Sequence, residues 1–600
     1  EEGIVIEPGA SVGWLGSRWM IAPPAPAEYL RQLSHLHPLL AQVLYNRGVS
    51  IEESDAFLRA DRRLTHDPYL LLGMREAVRR IRAALAQGER IAIYGDFDVD
   101  GVTSTVVLVR ALRALGADPL HYIPHRVSEG YGLNPGALRW LHEQGVTLVV
   151  TVDSGSSSHE GVREAAALGM DVVITDHHLV PPELPAAVAV VNPRQAGCAY
   201  PFKALAGVGV AFKVAQALLE GQDVEGRGIL REVLDLVAIG SIADMAPLVG
   251  ENRVLVTWGL RQLNTAMRVG VQALVVSSGL RRGDLSAFDV GYRLAPRLNA
   301  AGRIDHASLG YDLLMTEDHA VADDLVRQLE EKNIERQRRT QEVLTEARQQ
   351  ARQALDQRVL VVGDSGWPGG VVGLVAGRLA EEFGRPAFVI EKADGVSRGS
   401  TRGVSGPVAT FNVMEALEGC KDLLIQYGGH AFAAGFSIEA TNIPAFTARL
   451  QQIAADSRLA EAEPGGALLS IDAEVHLADL TLDVQEQLED LEPCGAGNPA
   501  PLLLCRHARL LDYRVVGSNH LRLTLGSPRQ SVGAIAFGQA ERAAELSRNQ
   551  ALDVVFSLTV NEWNGERTVQ LKVRDVRPSD SGGVSFGSGE AGTLVSARRA

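Results

Sequence analysis

The sequence predicts an α/β protein: a parallel-sheet domain, a long connecting helix, a second α/β domain and a terminal all-β barrel. Three observations predict it. Between Met74 and Thr175 short apolar runs alternate with helix-patterned segments. From Thr316 to Gln357 the chain holds neither Gly nor Pro. Beyond Pro501 the apolar pattern changes to period two.

Six hundred residues exceed one core, so three or four domains are expected. Hydrophobic content of 46% with 22% charged residues fits an ordinary soluble protein, and no apolar run is long enough to span a membrane. The N-terminus lacks a basic-then-apolar leader. Cys198, Cys420, Cys494 and Cys505 form no CxxC pair and read as reduced thiols of a cytoplasmic protein. A net charge of −15 argues at first against a nucleic-acid partner. Net charge governs long-range steering, however, and a basic groove on an acidic protein is compatible with it.

In chain order, residues 1–70 read as an extension and a helical cap, with Ser50 and Glu53 at capping-box spacing. Residues 71–315 form the first α/β domain. The helix Glu76–Gln87 leads into the strand Ile91–Tyr94, then helix Val102–Leu115, strand His121–Ile123, helix Pro135–Glu143, strand Thr147–Val152, helix His159–Leu168 and strand Asp171–Thr175. Residues 316–357 make the long helix, with Thr316 as N-cap and acids after it. It is expected to act mainly as a solvated spacer, with Arg336, Arg338 and Arg339 as further candidates for backbone contacts to a nucleic acid.

Residues 358–465 form the second α/β domain: strand Val359–Val362, helix Leu374–Phe383, strand Ala387–Ile390 and a hairpin at Asp394-Gly395. Residues 466–578 hold about five strands and a helix-like stretch at Gln539–Arg548, with Asn564-Gly565 as a tight turn, which suggests an OB-fold. Trp563, Tyr513 and Arg522 are its candidates for holding single strands, although aromatics in small barrels are more often core. Residues 579–600 read as a flexible linker.

The chemistry gathers at one sheet edge. Asp96, Asp98 and Asp100 follow the strand ending at Tyr94; Asp153 follows Val152; Asp176, His177 and His178 follow Thr175; Asp244 closes a largely apolar stretch. Strand ends of an open parallel sheet are where such proteins place their sites. Three acids within five residues repel one another unless a cation neutralises them, and oxygen-rich clusters select hard divalent ions. Singly, Asp153 reads as a helix cap and the histidines as surface residues; together they read as a metal site.

The ordered set Asp96-x-Asp98-x-Asp100-Gly101, Asp153-Ser154-Gly155, Asp176-His177-His178 and Asp244 resembles the four motifs of the DHH phosphoesterase superfamily. Within it the closer resemblance, from Trp19 to about Arg577, is to the RecJ family of bacterial single-strand-specific 5′→3′ exonucleases. His125-Arg126, Glu129–Asn134, Tyr200–Lys213, Ala295–Arg303 and Glu492–Pro501 are family-like too, and the octapeptide Gly428–Gly435 resembles the DHHA1 signature. Two departures stand out: Pro368 occupies a place where the family usually has His, and Ser154 one where relatives often carry Cys or Asn.

The resemblance implies a DHH catalytic domain, a DHHA1 domain and an OB-fold, and two-metal phosphodiester hydrolysis with Mn²⁺ preferred over Mg²⁺ because an imidazole sits among the carboxylates. By resemblance, Asp98 and Asp153 lie at one ion, with Asp96 close to it or ordering its water. Asp100, Asp153, His177 and Asp244 hold the other, and His178 contacts the scissile phosphate. Arg126, Arg297, Asn299, Arg303, Arg398, Ser400, Gly428, Gly429 and His430 are the implied DNA and phosphate contacts. The implied substrate is single-stranded DNA with a 5′-phosphate, degraded to 5′-mononucleotides in DNA repair and recombination. The implied setting is a cytoplasmic, nucleoid-associated monomer without membrane contact, working with a single-strand-binding protein and a RecQ-type helicase. Two rivals use the same features: a phosphodiesterase for oligoribonucleotides or cyclic dinucleotides, which would not need the third domain, and an inactive single-strand-binding scaffold, which would not need clustered acids.

Overall fold

The structure is a computed structural model and describes residues 5–6, 13–14, 16–221, 224–404, 411–457, 468–526, 531–563 and 565–579. The chain divides into two units: Arg62–Ala462 with Pro493–Gly497, and Glu1–Asp61 with Glu463–Glu492 and Asn498–Ala600.

The first of these units opens on a five-stranded sheet of β1 (Arg90–Tyr94), β2 (Leu120–Tyr122), β3 (Val146–Val152), β4 (Asp171–Thr175) and β5 (Ala189–Val191). Its order is β2-β1-β3-β4-β5, and every pairing is parallel. Ile91 to Tyr94 are at most 2% exposed, as expected of a strand covered on both faces. The strand order reverses between β1 and β3, so the turns after these two strands flank a crevice. β5 has only three residues, too short for a periodicity to register.

Helix α1 (Val99–Ala114) begins three residues earlier than the expected Val102, because Asp98 caps it by accepting the Gly101 amide at 3.1 Å. The cap draws Asp100 into the first helical turn. Helices α2 (Gly207–Leu218) and α3 (Leu234–Ala243) pack on α1. α4 (Ala295–Ile304) continues directly from a π-helical turn at Val290–Leu294 instead of following a helix–loop junction.

The long helix is α5 (His319–Gln353), with Asp318 as its N-cap in place of the expected Thr316. At 1.5 Å per residue it spans about 50 Å. It is not a solvated spacer. Leu325, Val326 and Leu329 enter the core of the first domain, while Val343, Leu344, Ala347 and Ala351 enter the core of the second. Of its arginines, Arg338 pairs with Glu335 and Glu342, Arg339 with Glu335, and Arg336 bonds Asn333. Leu344→Ala should therefore cost about 2–5 kcal/mol of stability, measurable as a lowered urea midpoint.

The second sheet holds β6 (Leu360–Asp364), β7 (Ala387–Glu391), β8 (Val396–Arg402), β9 (Leu424–His430) and β10 (Ala433–Glu439) in the order β9-β10-β8-β7-β6. Only β6–β7 is parallel. The octapeptide is the tip of the β9–β10 hairpin, with Gly428 opposite Gly435 and His430 opposite Ala433. Helix α6 (Gly369–Phe383) follows Pro368, which serves as its N-cap without a side-chain bond.

The other unit is a barrel. Five strands, β11 (Leu503–Val516), β12 (His520–Gly526), β13 (Ser531–Ala536), β14 (Ala551–Trp563) and β15 (Glu566–Pro578), run β11-β12-β13-β15-β14, and a β11–β14 pairing closes the ring. This is the expected OB-fold. A cleft of about 440 Å³ on it is lined in part by Arg522, Asn561, Arg567 and Gln570. The Tyr513 hydroxyl is tied to the Leu546 carbonyl at 3.0 Å. The side chain of Trp563, Asn564 and the tail from 580 lie outside the described residues.

The N-terminal segment differs from the separate cap expected over 1–70. Residues Glu1–Asp61 belong to the barrel unit, with the strand Arg18–Ile21 pairing in parallel with Leu468–Ile471. Trp19 Nε1 donates to the buried Asp575 carboxylate at 2.9 Å. A pairing across some 450 residues leaves no local trace in a sequence pattern. Among the described residues no helix is long and apolar enough to cross a membrane.

Candidate functional site

The carboxyl ends of β1, β3 and β4 deliver their polar residues to one place. Asp96, Asp100, Asp153 and His177 are each at most 5% exposed. His177 Nε2 lies 3.0 Å from Asp153 Oδ1 and 3.8 Å from Asp100 Oδ2, and its Nδ1 lies 3.9 Å from Asp244 Oδ2. Ligand-type atoms of Asp96, Asp98 and Asp153 fall within 4.8 Å of one another, as do those of Asp100, His177 and Asp244, and those of Asp153, His177 and His178.

Backbone geometry holds these groups. Asp153 has φ 58°, the left-handed region where Asp and Asn are tolerated better than most side chains. Asp100 accepts the amides of Gly207 and Val208 at 2.7 and 2.8 Å, where the N-terminus of α2 favours negative charge. A Cβ on Gly207 would sit 2.4 Å from Asp153 Oδ1. The Gly-Val-Gly segment thus lets a helix end touch two carboxylates at once. Asp244 closes α3 as its C-cap.

Asp176 has a different task. It accepts the amides of Ser156, His177 and His178 and lies 2.8 Å from His178 Nδ1. With its oxygens occupied, it orients the imidazole. Tyr131 Oη also approaches His178 Nδ1, at 3.0 Å, and the His178 ring stacks on His430 at 4.9 Å. Asn192 Nδ2 donates to the His178 carbonyl at 2.9 Å.

The electrostatics require a cation. Burial and then Asp98 push Asp96 up to about 8 and Asp100 up to about 7. Burial and the neighbouring acids, Asp100 first, raise Asp153 and Asp244 well above the carboxylate range. These carboxylates cannot all be charged together in a buried site without positive charge among them. His177 is held well below its ordinary value by burial and by His178, so it is a neutral imidazole with a lone pair to offer. His178 titrates near 9: Asp176 outweighs the burial that would lower it. Asp96 Oδ1 and Asp153 Oδ1 are buried without a hydrogen-bond partner among the described residues. Oxygen donors of this kind, with one imidazole, fit hard divalent ions.

A second, basic cluster adjoins the acids. Arg126 lies over the Phe97 ring at 4.5 Å, and its charge is felt by Asp96. Burial, then Arg126, Arg402 and Arg336, hold Arg303 well below the guanidinium range; burial and then Arg126 lower Arg402. Like charges gathered this way call for an anion. Arg303 Nη1 donates to the Gly370 carbonyl at 3.2 Å, and a Cβ on Gly370 would meet the Arg303 carbonyl oxygen at 2.1 Å, so the amino end of α6 closes on the cluster. Ser400 and Arg402 stand two residues apart on β8 and so share one of its faces, beside Gly373 of α6.

The other expected contacts have protein partners of their own. Arg297 pairs with Glu330 of α5 at 2.5 Å and so braces the helix. Arg398 Nη1 donates to the Val127 carbonyl at 2.5 Å. Asn299 Oδ1 accepts the Val99 amide at 3.1 Å and so positions the start of α1. His430 reaches the site through His178, and Gly428 and Gly429 lie on the same strand. The sequence patterns assign no individual role to Asp176 or Tyr131 within their motifs, and none to Asn192, Arg194 or Arg402. Asp176 was visible as the first member of Asp-His-His; Arg402 could have been found from its two-residue spacing to Ser400.

Comparison with known proteins follows the same outline. The DHH family N-terminal domain matches residues 90–241, the DHHA1 domain 356–456 and the RecJ OB domain 471–575. The single-stranded-DNA-specific exonuclease RecJ of Bacillus subtilis is 40% identical, over 94% of this chain and 71% of that protein. The Escherichia coli protein of the same description is 35% identical, over 91% and 96%. Among solved structures, Thermus thermophilus RecJ in complex with Mn²⁺ aligns with a TM-score of 0.78 at 32% identity, covering 94% of this chain and 81% of that one. Its Mg²⁺ complex aligns with a TM-score of 0.72 at 31% identity, covering 94% and 79%.

Proposed function

The chain belongs to the RecJ family of single-stranded-DNA-specific exonucleases, and from that premise we propose that it removes 5′-mononucleotides from single-stranded DNA by hydrolysis dependent on two divalent ions. The observation that carries the reading is the set of buried carboxylates around a neutral His177. The rival readings give way, because relatives matched over nine-tenths of the chain, barrel included, are single-stranded-DNA-specific exonucleases.

Asp96, Asp98 and Asp153 would hold one ion, and Asp100, Asp153, His177 and Asp244 the other, with Mn²⁺ suited to the mixed oxygen and nitrogen donors. Such ions, when bound, supply Lewis-acid activation of water and charge neutralisation at phosphorus. The residues do the remainder. His178, protonated through Asp176, donates to the scissile phosphate as negative charge develops on it. Gly207 and Val208 keep Asp100 in place through their amides.

Polarity follows from a pocket for the terminal 5′-phosphate built of Arg126, Arg303, Ser400 and Arg402, which sets the first nucleotide across the acids. Arg402→Ala should reduce the preference for a 5′-phosphorylated over a 5′-hydroxyl strand by about tenfold to a hundredfold, the worth of a charge-assisted hydrogen bond. The ratio of kcat/KM on the two strands measures it, and an unchanged ratio removes Arg402 from the pocket. The family reading implies work beside a single-strand-binding protein and a RecQ-type helicase.

Strands labelled at the 5′ or 3′ end, digested with and without Mn²⁺ or Mg²⁺, test the whole. Labelled mononucleotide should leave the 5′-labelled strand at once. Early release from the 3′ label would reverse the polarity, and cleavage in EDTA would remove the ions.

A further inference from the structure

Arg194 follows β5 at the same sheet edge as the acids. Its amide donates to Asn192 Oδ1 at 2.9 Å, and Asn192 Nδ2 holds both the His178 carbonyl and Ser156 Oγ, so the backbone at Arg194 is tied to the site. The side chain is exposed, and among the described residues no carboxylate lies within ion-pair distance of it.

Its charge is felt on one flank of the acid cluster. After burial and the His178 imidazolium, Arg194 helps to lower His177 and His430, and it opposes the burial and neighbouring acids that raise Asp244. Arg126 interacts with the other flank, through Asp96 and Asp98. Two cations thus bracket the carboxylates: Arg126 follows β2 and Arg194 follows β5, the two edge strands of the sheet whose inner strands β1, β3 and β4 deliver the acids.

We infer that Arg194 binds the phosphodiester immediately 3′ of the scissile one, on the strand that stays after each nucleotide is released. The inference rests on the proposed 5′-phosphate pocket, because a terminal phosphate on the Arg126 flank sends the rest of the strand past the Arg194 flank. A guanidinium is no metal ligand, and Arg126 of the proposed pocket follows the opposite edge strand.

The test pairs a protein change with a substrate change. A 5′-phosphorylated single strand carries one uncharged methylphosphonate at its second linkage, and release of the first nucleotide is followed in a single turnover with Mn²⁺. For the wild-type chain the neutral linkage should slow release by about tenfold, and Arg194→Gln on the native strand should slow it by a similar factor. Together they should cost no more than either alone, because both remove the same contact. The log–log salt slope of binding should fall by roughly 0.7 in the variant. Arg194→Lys, which keeps the charge, should retain the salt slope and sensitivity to the neutral linkage, and controls for folding. Factors that multiply, or a wild-type rate indifferent to the neutral linkage, would overturn the inference while leaving the nuclease reading intact. A wild-type chain that releases no nucleotide from either strand would overturn both.

Discussion

Asp153→Asn should lower nucleotide release by about three to four orders of magnitude while leaving single-strand binding near its original level. Asp153 lies within 4.8 Å of ligand atoms of Asp96 and Asp98 and also of His177, so losing its charge would weaken both proposed ion positions at once. Lewis-acid assistance is worth several kcal/mol, and each 1.36 kcal/mol is tenfold in rate. Asn is a better choice than Ala, since φ 58° is a conformation Asn adopts readily and Ala does not. Binding should survive because the basic cluster and the barrel are untouched. Turnover on a labelled strand and binding of the same strand in Ca²⁺ measure the two effects; a variant within tenfold of the parent rate would contradict the assignment of Asp153.

In EDTA, thermal stability should fall as pH rises from about 6.5 to 8, and excess Mn²⁺ should cancel or reverse that fall. Asp96 and Asp100 titrate near 8 and 7 in the folded chain, and His178 near 9. Their unfolded values lie near 3.9 and 6.5. Within this window the folded chain therefore binds more protons than the unfolded one, and stability declines with pH. The depressed His177 and Asp176 act in the opposite sense, but their changes belong to lower pH. Metal competes with those protons, so its contribution, about 2.7 kcal/mol at a hundred times Kd, grows with pH. Melting curves at pH 6.5 and 8, with and without Mn²⁺, check it; a metal-free melting temperature that climbs over this interval would contradict the buried-acid account.

Much of this molecule is legible in its sequence because strand, turn and acid lie within a few residues of each other. Tyr94, Val152 and Thr175 end strands whose apolar runs are unmistakable, and parallel pairing obliges the residues after them to meet. What escaped is non-local. That Arg297 meets Glu330, that Asn299 receives the Val99 amide, and that Arg398 reaches the Val127 carbonyl depend on how helices and sheets dock, which a motif does not encode. The motif-bearing arginines were all plausible phosphate ligands, yet Arg297 is tied to Glu330 and Arg398 to the Val127 carbonyl, while Arg303 bonds the Gly370 carbonyl within the basic cluster. The long helix misled for a related reason. Its surface charge is high, and the apolar positions that key it into two cores are spaced thinly over ten turns.

That shared helix also sets rotational phase. Each residue added to it turns everything beyond by about 100° and advances it by about 1.5 Å. Two residues inserted near Arg336 would swing the hairpin bearing His430 to nearly the opposite side of the shaft, whereas a seven-residue insertion would restore its heading at a greater distance. The active centre is therefore indexed like a keyed axle, tolerant of surface change along its length but not of a change in count.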